Sequence, residues 1–206
     1  MSLMEEGIEV LQRCFTGERF SYRGKRHRFD DVVIKPGYVQ EGGPPLWIAA
    51  MSEAGAERAA RYGTHFLPQG LKHRSFDPWV KALERSGRNR GDYRVGIIRS
   101  ILVTAEGATD WARVRPAESY RMELYRQFHE ESGEGLPESG ERIPQTWIVG
   151  DVDHCVEELG RFIEAFGITD IVTMAGPPGL RPEQMTVSLE ALFTRVVPRL
   201  RSALAR

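Results

Sequence analysis

Short apolar runs alternate with longer amphipathic stretches along most of this chain, and that rhythm limits the fold more than any other feature. Leu46 to Ala50 is almost wholly apolar, and Glu53 to Tyr62 then sets Ala56, Ala59 and Ala60 on one helical face before Gly63. His65-Phe66-Leu67, Tyr93 to Thr104 and Asp170 to Met174 repeat the apolar pattern. A strand apolar on both faces has no solvent side, so it belongs to a parallel sheet covered by helices. The helix ending Ala60-Arg61-Tyr62-Gly63 and the helix ending Ala165-Phe166-Gly167 each lead straight into such a strand, a weak helix-glycine-strand repeat. The spacing therefore predicts an α/β fold with parallel strands at 46–50, 65–68, 93–104 and 170–174. A closed (β/α)8 barrel needs eight strands and typically about 250 residues. The 206 residues here read as one domain, a partial TIM-type barrel with its first strands missing.

The other elements follow from local signals. Residues 5–16 read as a helix, with Ile8, Leu11 and Phe15 at helical spacing and Gly17 as the stop. Met1-Ser2-Leu3 ahead of Met4 reads as a short leader. Residues 19–34 read as a hairpin insertion, with Gly24 able to supply a positive-φ turn. A helix is expected around 76–85, and another over 107–131 with Pro116 opening its main body. Residues 132–143 read as a loop, and 147–150 as a short extended piece. From Asp151 a helix places Val152, Cys155, Val156, Leu159, Phe162, Ile163 and Phe166 on one face. Pro182 opens the last helix, whose expected core face is Met185, Leu189, Leu192, Phe193, Val196 and Leu200, and Pro198 must kink it.

Several function classes fall away. Basic residues number 28 and acidic residues 29, so no bulk attraction to nucleic acid or to an anionic membrane is implied. No apolar run approaches the roughly 20 residues that span a bilayer, and no basic-then-apolar leader marks secretion. Cys14 and Cys155 lie at apolar helical positions and read as buried thiols of a cytoplasmic protein. The five histidines are scattered, which argues against a metal site. No dinucleotide fingerprint, phosphate-binding P-loop or nucleophile elbow is present.

Three places carry candidate chemistry. Ala49-Ala50-Met51-Ser52 joins an apolar strand to a helix start, with Ser52 at the N-cap position. First-turn amides and the helix dipole favour a phosphate there, and Ala54, Gly55 and Ala56 are small enough for an anion to approach. A plain serine cap explains the same residues. Arg99 and Ser100 interrupt an apolar strand, so one faces the helices and the other the barrel lumen. We expect Arg99 to snorkel to solvent near a strand end. Met174 to Gly179 follows the last strand, on the side where barrel sites lie. Trp47, Trp79, Trp111 and Trp147 read as packing, and Arg85, Arg88, Arg90 and Arg94 as a solvated basic face.

Ordered motifs run through nearly the whole chain. They are Glu6 to Leu11 with Phe15-Thr16-Gly17-Glu18, the Gly24–Phe29 hairpin and Pro44 to Ser52, then Ser86-Gly87-Arg88, Val149-Gly150-Asp151, Phe166-Gly167 and Val197-Pro198-Arg199-Leu200. This set resembles the second half of the luciferase-like monooxygenase family. The resemblance implies a (β/α)8 barrel that binds reduced flavin mononucleotide (FMN) or a deazaflavin coenzyme, without metal, and oxidises a small organic substrate or passes a hydride. It places cofactor-phosphate binding on Met51, Ser52 and Gly55 and a substrate-facing role on Ser100. The family's Gly-Gly-Ser-Ser stands here as Ala49-Ala50-Met51-Ser52, a departure that narrows the loop. It assigns no catalytic residue to this chain. The expected function is a flavin-dependent monooxygenase-type activity, absent from the chain on its own. The alternatives are a deazaflavin-dependent hydride transfer and a self-associating half-barrel that is no enzyme. An open sheet edge and uncovered apolar faces predict a homodimer.

Overall fold

The computed structural model describes residues 2–68, 75–105, 111–132, 146–174 and 181–204. They belong to two compact units, Met1–Arg94 and Val95–Arg206.

The first unit opens with α1 (Leu3–Phe15). Ser2 caps it in a reciprocal box, its Oγ accepting from the Glu5 amide at 3.2 Å while its own amide donates to Glu5 at 2.7 Å. Of the residues expected as a leader, Ser2 is the cap and Leu3 the first residue of α1. Strands β1 (Phe20–Arg23) and β2 (Arg28–Val32) pair as an antiparallel hairpin. Gly24 does not have the positive φ expected of it. A Cβ there would lie 2.6 Å from the Tyr22 ring and 2.9 Å from the Glu6 carboxyl carbon, so the glycine makes room rather than a turn. Glu6 is buried and accepts the amides of Lys25, Arg26 and His27 at 3.0, 2.8 and 3.1 Å. Glu9 accepts from the Tyr22 hydroxyl at 3.0 Å. The hairpin is thereby pinned to α1.

Strands β3 (Trp47–Ala50) and β4 (His65–Pro68) pair in parallel, in register from Trp47 with His65 to Ala50 with Pro68. Between them α2 (Glu53–Tyr62) buries Ala56, Ala59 and Ala60 completely, and such small side chains allow close helix–strand approach. Gly63 ends the helix at φ 63°, ψ 44°, the left-handed conformation that glycine adopts without a steric cost. From α3 (Phe76–Arg85), Trp79 stacks on buried Phe66 at 5.2 Å. The basic run is largely solvated as expected, with Arg85, Arg88 and Arg94 exposed and Arg90 half-buried, and its members also make contacts in this unit. Arg90 lies over Trp79 at 4.9 Å, Arg94 over Trp47 at 5.3 Å, and Arg85 pairs with Glu57.

In the second unit the long strand expected over 93–104 divides at Arg99 into β5 (Gly96–Ile98) and β6 (Ser100–Val103). The Arg99 amide donates to the Val172 carbonyl and the Ser100 amide to the Thr146 carbonyl, each at 3.0 Å. Successive amides of an extended strand point to opposite edges. So β8 (Asp170–Val172) lies along one edge and β7 (Trp147–Gly150) along the other, both parallel. The short extended piece at 147–150 is therefore a full partner in the sheet. The chain crosses from β6 to β7 in one direction and from β7 to β8 in the other. Right-handed crossovers in opposite directions put their helices on opposite faces. Accordingly Trp111 and Val114 of α4 (Trp111–Ser132) pack on Leu102, Trp147 and Val149. On the other face Val152, Cys155 and Leu159 of α5 (Val152–Phe166) pack on Ile101, Val103 and Ile148.

Three local expectations change. Pro116 lies inside α4, which starts five residues earlier at Trp111, rather than opening it. Pro198 acts upstream of its own position. It cannot donate to Thr194 and its ring crowds that carbonyl, and residues Leu192–Val196 widen into a π turn between α6 (Pro182–Ala191) and α7 (Val197–Leu204). The π turn also rotates Phe193 off the expected core face, to 62 % exposure, while Leu192, Val196 and Leu200 stay buried. Ser188 takes an unexpected part: buried on α6, its Oγ accepts the Val103 amide at 2.9 Å, beyond the last residue of β8.

Candidate functional site

The loop after β3 is built by its neighbours. Ala49 and Ala50 lie in extended strand, and among the described residues Asp31 alone is a non-glycine with positive φ. Alanine in place of the family's glycines therefore costs the backbone nothing here. The Ala50 carbonyl accepts the Ser75 hydroxyl at 3.1 Å, which anchors the loop to the start of α3. Met51 projects outward, 71 % exposed. Ser52 has the extended backbone of an N-cap, φ −105° and ψ 158°, and its Oγ accepts the Gly55 amide at 3.2 Å. Its carbonyl accepts the Ala56 amide at 3.0 Å.

Helix geometry leaves the Glu53 and Ala54 amides without intrahelical acceptors, and both residues are exposed. These amides, the positive end of the α2 dipole and the Ser52 hydroxyl lie together at an exposed helix start, an arrangement that fits a phosphate. The carboxylate of Glu53 in the same first turn opposes an anion. Gly55 is buried, and a Cβ on it would come within 2.5 Å of the Ala50 methyl. Its small size seats α2 on β3, so its link to any ligand runs through the amide it gives to Ser52.

Arg99 does not reach solvent. It is 4 % exposed, donates to the Ile98 carbonyl at 2.7 Å and lies over the Phe162 ring of α5 at 4.5 Å. Burial pushes its guanidinium below the ordinary arginine range. A strand inside a layered unit has no nearby solvent for the side chain to follow, which is why the expectation of snorkelling fails. Ser100 takes the opposite face by alternation. It is 4 % exposed and stands in register with Trp147. Cys155 is buried with its Sγ 3.6 Å from the Gly150 carbonyl, and burial pushes its thiol up to about 11, which makes it a poor nucleophile. Of the run from Met174 to Gly179, the residues after Met174 lie outside the described ones. No group of three His, Cys, Asp or Glu among the described residues is placed to hold a metal. None of the described helices is long and apolar enough to cross a membrane.

Sequence reasoning missed the surroundings of Ser100. Trp111 and Trp147 meet there edge to face, ring centroids 5.5 Å apart. The signal was faint: a tryptophan heading an apolar run is ordinary packing until its partner is known.

Residues 1–170 match the family described as luciferase-like monooxygenase. The chain belongs to this family. It is 26 % identical to an F420-dependent glucose-6-phosphate dehydrogenase of Mycobacterium tuberculosis, over 96 % of this chain and 60 % of that protein. An FMNH(2)-dependent dimethylsulfone monooxygenase of Pseudomonas putida is 30 % identical over 66 residues, 32 % of this chain and 18 % of that one. Among solved structures, the monooxygenase RslO1 from Streptomyces bottropensis superposes with a TM-score of 0.73 at 18 % identity, covering 97 % of this chain and 63 % of its own. The chain thus spans about 60 % of the length of the F420-dependent relatives it matches. The α/β architecture with parallel strands and covering helices agrees with these barrel relatives, and the described strands form no closed barrel.

Proposed function

We propose that this luciferase-like chain is the phosphate-holding part of an oxidoreductase that works with FMN or a deazaflavin coenzyme on a small organic substrate. The observation that carries the reading is the open N-terminus of α2, where Ser52 and the exposed first-turn amides converge. FMN and the deazaflavin coenzyme both carry a phosphate on the ribityl chain, so the same cradle suits either. The bound cofactor supplies the redox chemistry. The chain's residues hold and orient it: Ser52 with the Glu53 and Ala54 amides at the phosphate, Met51 beside it. Ser100 faces the substrate side. Relatives of both cofactor classes support the coarse reading, and the F420-dependent ones match over far more of the chain. We propose no turnover by this chain alone, because a barrel lumen needs eight parallel strands and, among the described ones, β1 and β2 form a separate antiparallel hairpin while only β3 to β8 pair in parallel.

Calorimetric titration tests the cradle. FMN is expected to bind roughly tenfold or more tightly than riboflavin, the scale of hydrogen bonds to a charged group. Ser52→Asp keeps the helix cap but sets a negative charge against the phosphate, so it is expected to abolish that preference while leaving stability intact. Equal binding of the two flavins, or an unchanged preference in Ser52→Asp, rules the cradle out.

A further inference from the structure

Ser75 heads α3 and does not cap it. Serine at a helix start ordinarily turns its oxygen to an amide of its own first turn. Ser75 makes no such bond and has a helical backbone, φ −83° and ψ −6°. Its hydroxyl donates instead to the Ala50 carbonyl at 3.1 Å, a residue 25 positions earlier. The serine is fully buried, so no water competes for that hydroxyl. A local bond has been given up for a distant one.

The distant partner is the last residue of β3, directly before Met51 and Ser52. Two elements hold it. Ser75 takes its carbonyl, and α2 lies against its methyl, where a Cβ on Gly55 would come within 2.5 Å. Among the described residues the cis peptide bond is Lys35-Pro36, so Ala50–Met51 is trans. In a planar trans peptide the carbonyl and the amide point in opposite directions. A carbonyl fixed on Ser75 therefore turns the Met51 amide away from α3. Met51 is exposed, as are Ser52, Glu53 and Ala54 after it. Its thioether has no hydrogen to donate to an anion, so whatever position 51 gives a phosphate comes from its backbone.

We infer that Ser75 is a positioning residue of the phosphate cradle: by fixing the Ala50 carbonyl it presents the Met51 amide to the phosphate beside those of Glu53 and Ala54. The inference rests on the proposed cradle at the start of α2. Ser75 makes no contact with the phosphate itself and acts through one rigid peptide. The same device accounts for a methionine in a loop where the family has a serine, because a backbone donor is indifferent to the side chain it carries.

The test compares FMN with riboflavin on the full chain by calorimetric titration. Ser75→Ala is expected to lower the preference for FMN about tenfold, the worth of one hydrogen bond to a charged group. It is expected to leave riboflavin binding unchanged, a split that a merely structural serine would not produce. Ser75→Thr keeps the hydroxyl and is expected to keep the preference. In the 15N-labelled wild type, FMN is expected to move the Met51 amide signal downfield and riboflavin is not, a measurement that stands even if neither variant folds. Four results overturn the role: an unchanged preference in Ser75→Ala, an equal loss of both flavins in it, a folded Ser75→Thr that lacks the preference, or a Met51 amide indifferent to FMN. Equal binding of the two flavins by the wild type removes the cradle itself. A wild-type preference that survives Ser75→Ala removes the role of Ser75 and leaves the cradle standing.

Discussion

Replacing Gly24 by alanine separates two explanations of the hairpin by the sign of the effect. If the glycine served only the freedom of the turn, its φ, which is not positive, would suit alanine. The variant would then gain about 0.4–1 kcal/mol from a stiffer unfolded chain. The structure argues otherwise. The added methyl would sit 2.6 Å from the Tyr22 ring and 2.9 Å from the Glu6 carboxyl carbon, well inside van der Waals contact. Neither neighbour can retreat freely: Tyr22 is buried and bonded to Glu9, and Glu6 holds the three amides of residues 25–27. Forcing a methyl into such a packed place costs about 1–3 kcal/mol. Set against the unfolded-state gain, Gly24→Ala should lose about 1–2 kcal/mol, or roughly 2–8 °C in Tm for a chain of this size. Urea unfolding followed by tryptophan emission measures it. The penalty should shrink when Glu6 is already alanine, because the carboxyl that the methyl meets is gone. A raised Tm in Gly24→Ala, or the same penalty in both backgrounds, refutes the steric account.

Two further outcomes are expected. Burial pushes the Glu6 carboxyl up, but the Arg26, His27 and Lys25 amides outweigh it and leave the group below the ordinary glutamate value of 4.5. A lowered folded value means that Glu6 contributes stability above 4.5 and loses it as the pH falls through the folded value. Glu6→Gln should therefore be less stable than wild type at neutral pH, with the gap closing on acidification, and a gap independent of pH counts against the clamp. The second unit exposes Phe128, Val172, Val187 and Phe193, side chains that a second copy could cover, so sedimentation at micromolar concentration should show a homodimer. A persistent monomer that binds little hydrophobic dye speaks against it.

Much of the candidate site was legible before any coordinates. The serine ahead of Glu53 predicts a cap because its oxygen reaches an orphan amide two or three residues on, a contact internal to one turn. Ser100 and Arg99 had to face opposite ways for an equally local reason. What the residue types did not carry was the surroundings: the Ala50 methyl that explains Gly55, the Ser75 hydroxyl on Ala50, and the Trp111 ring brought to Trp147 by a helix docking on the sheet.

The amino-acid sequence by itself determined whatever a single turn or a single strand decides. The alternation of apolar strands with amphipathic helices, the caps at Ser52 and Asp151 and the left-handed glycines Gly63 and Gly167 all rest on neighbours within a few residues. The tertiary structure decided the rest, because it depends on which distant surfaces meet. It made 147–150 a sheet strand, since β6 pairs with it residue by residue. It buried Arg99 over Phe162, since α5 had closed that face. It turned Phe193 outward, since the widened turn that contains it keeps Leu192 and Val196 on the core face instead. Gly24 shows the division within one residue: the sequence marks it as a glycine in a turn, and only the carboxylate of Glu6, eighteen residues earlier, says why nothing larger fits.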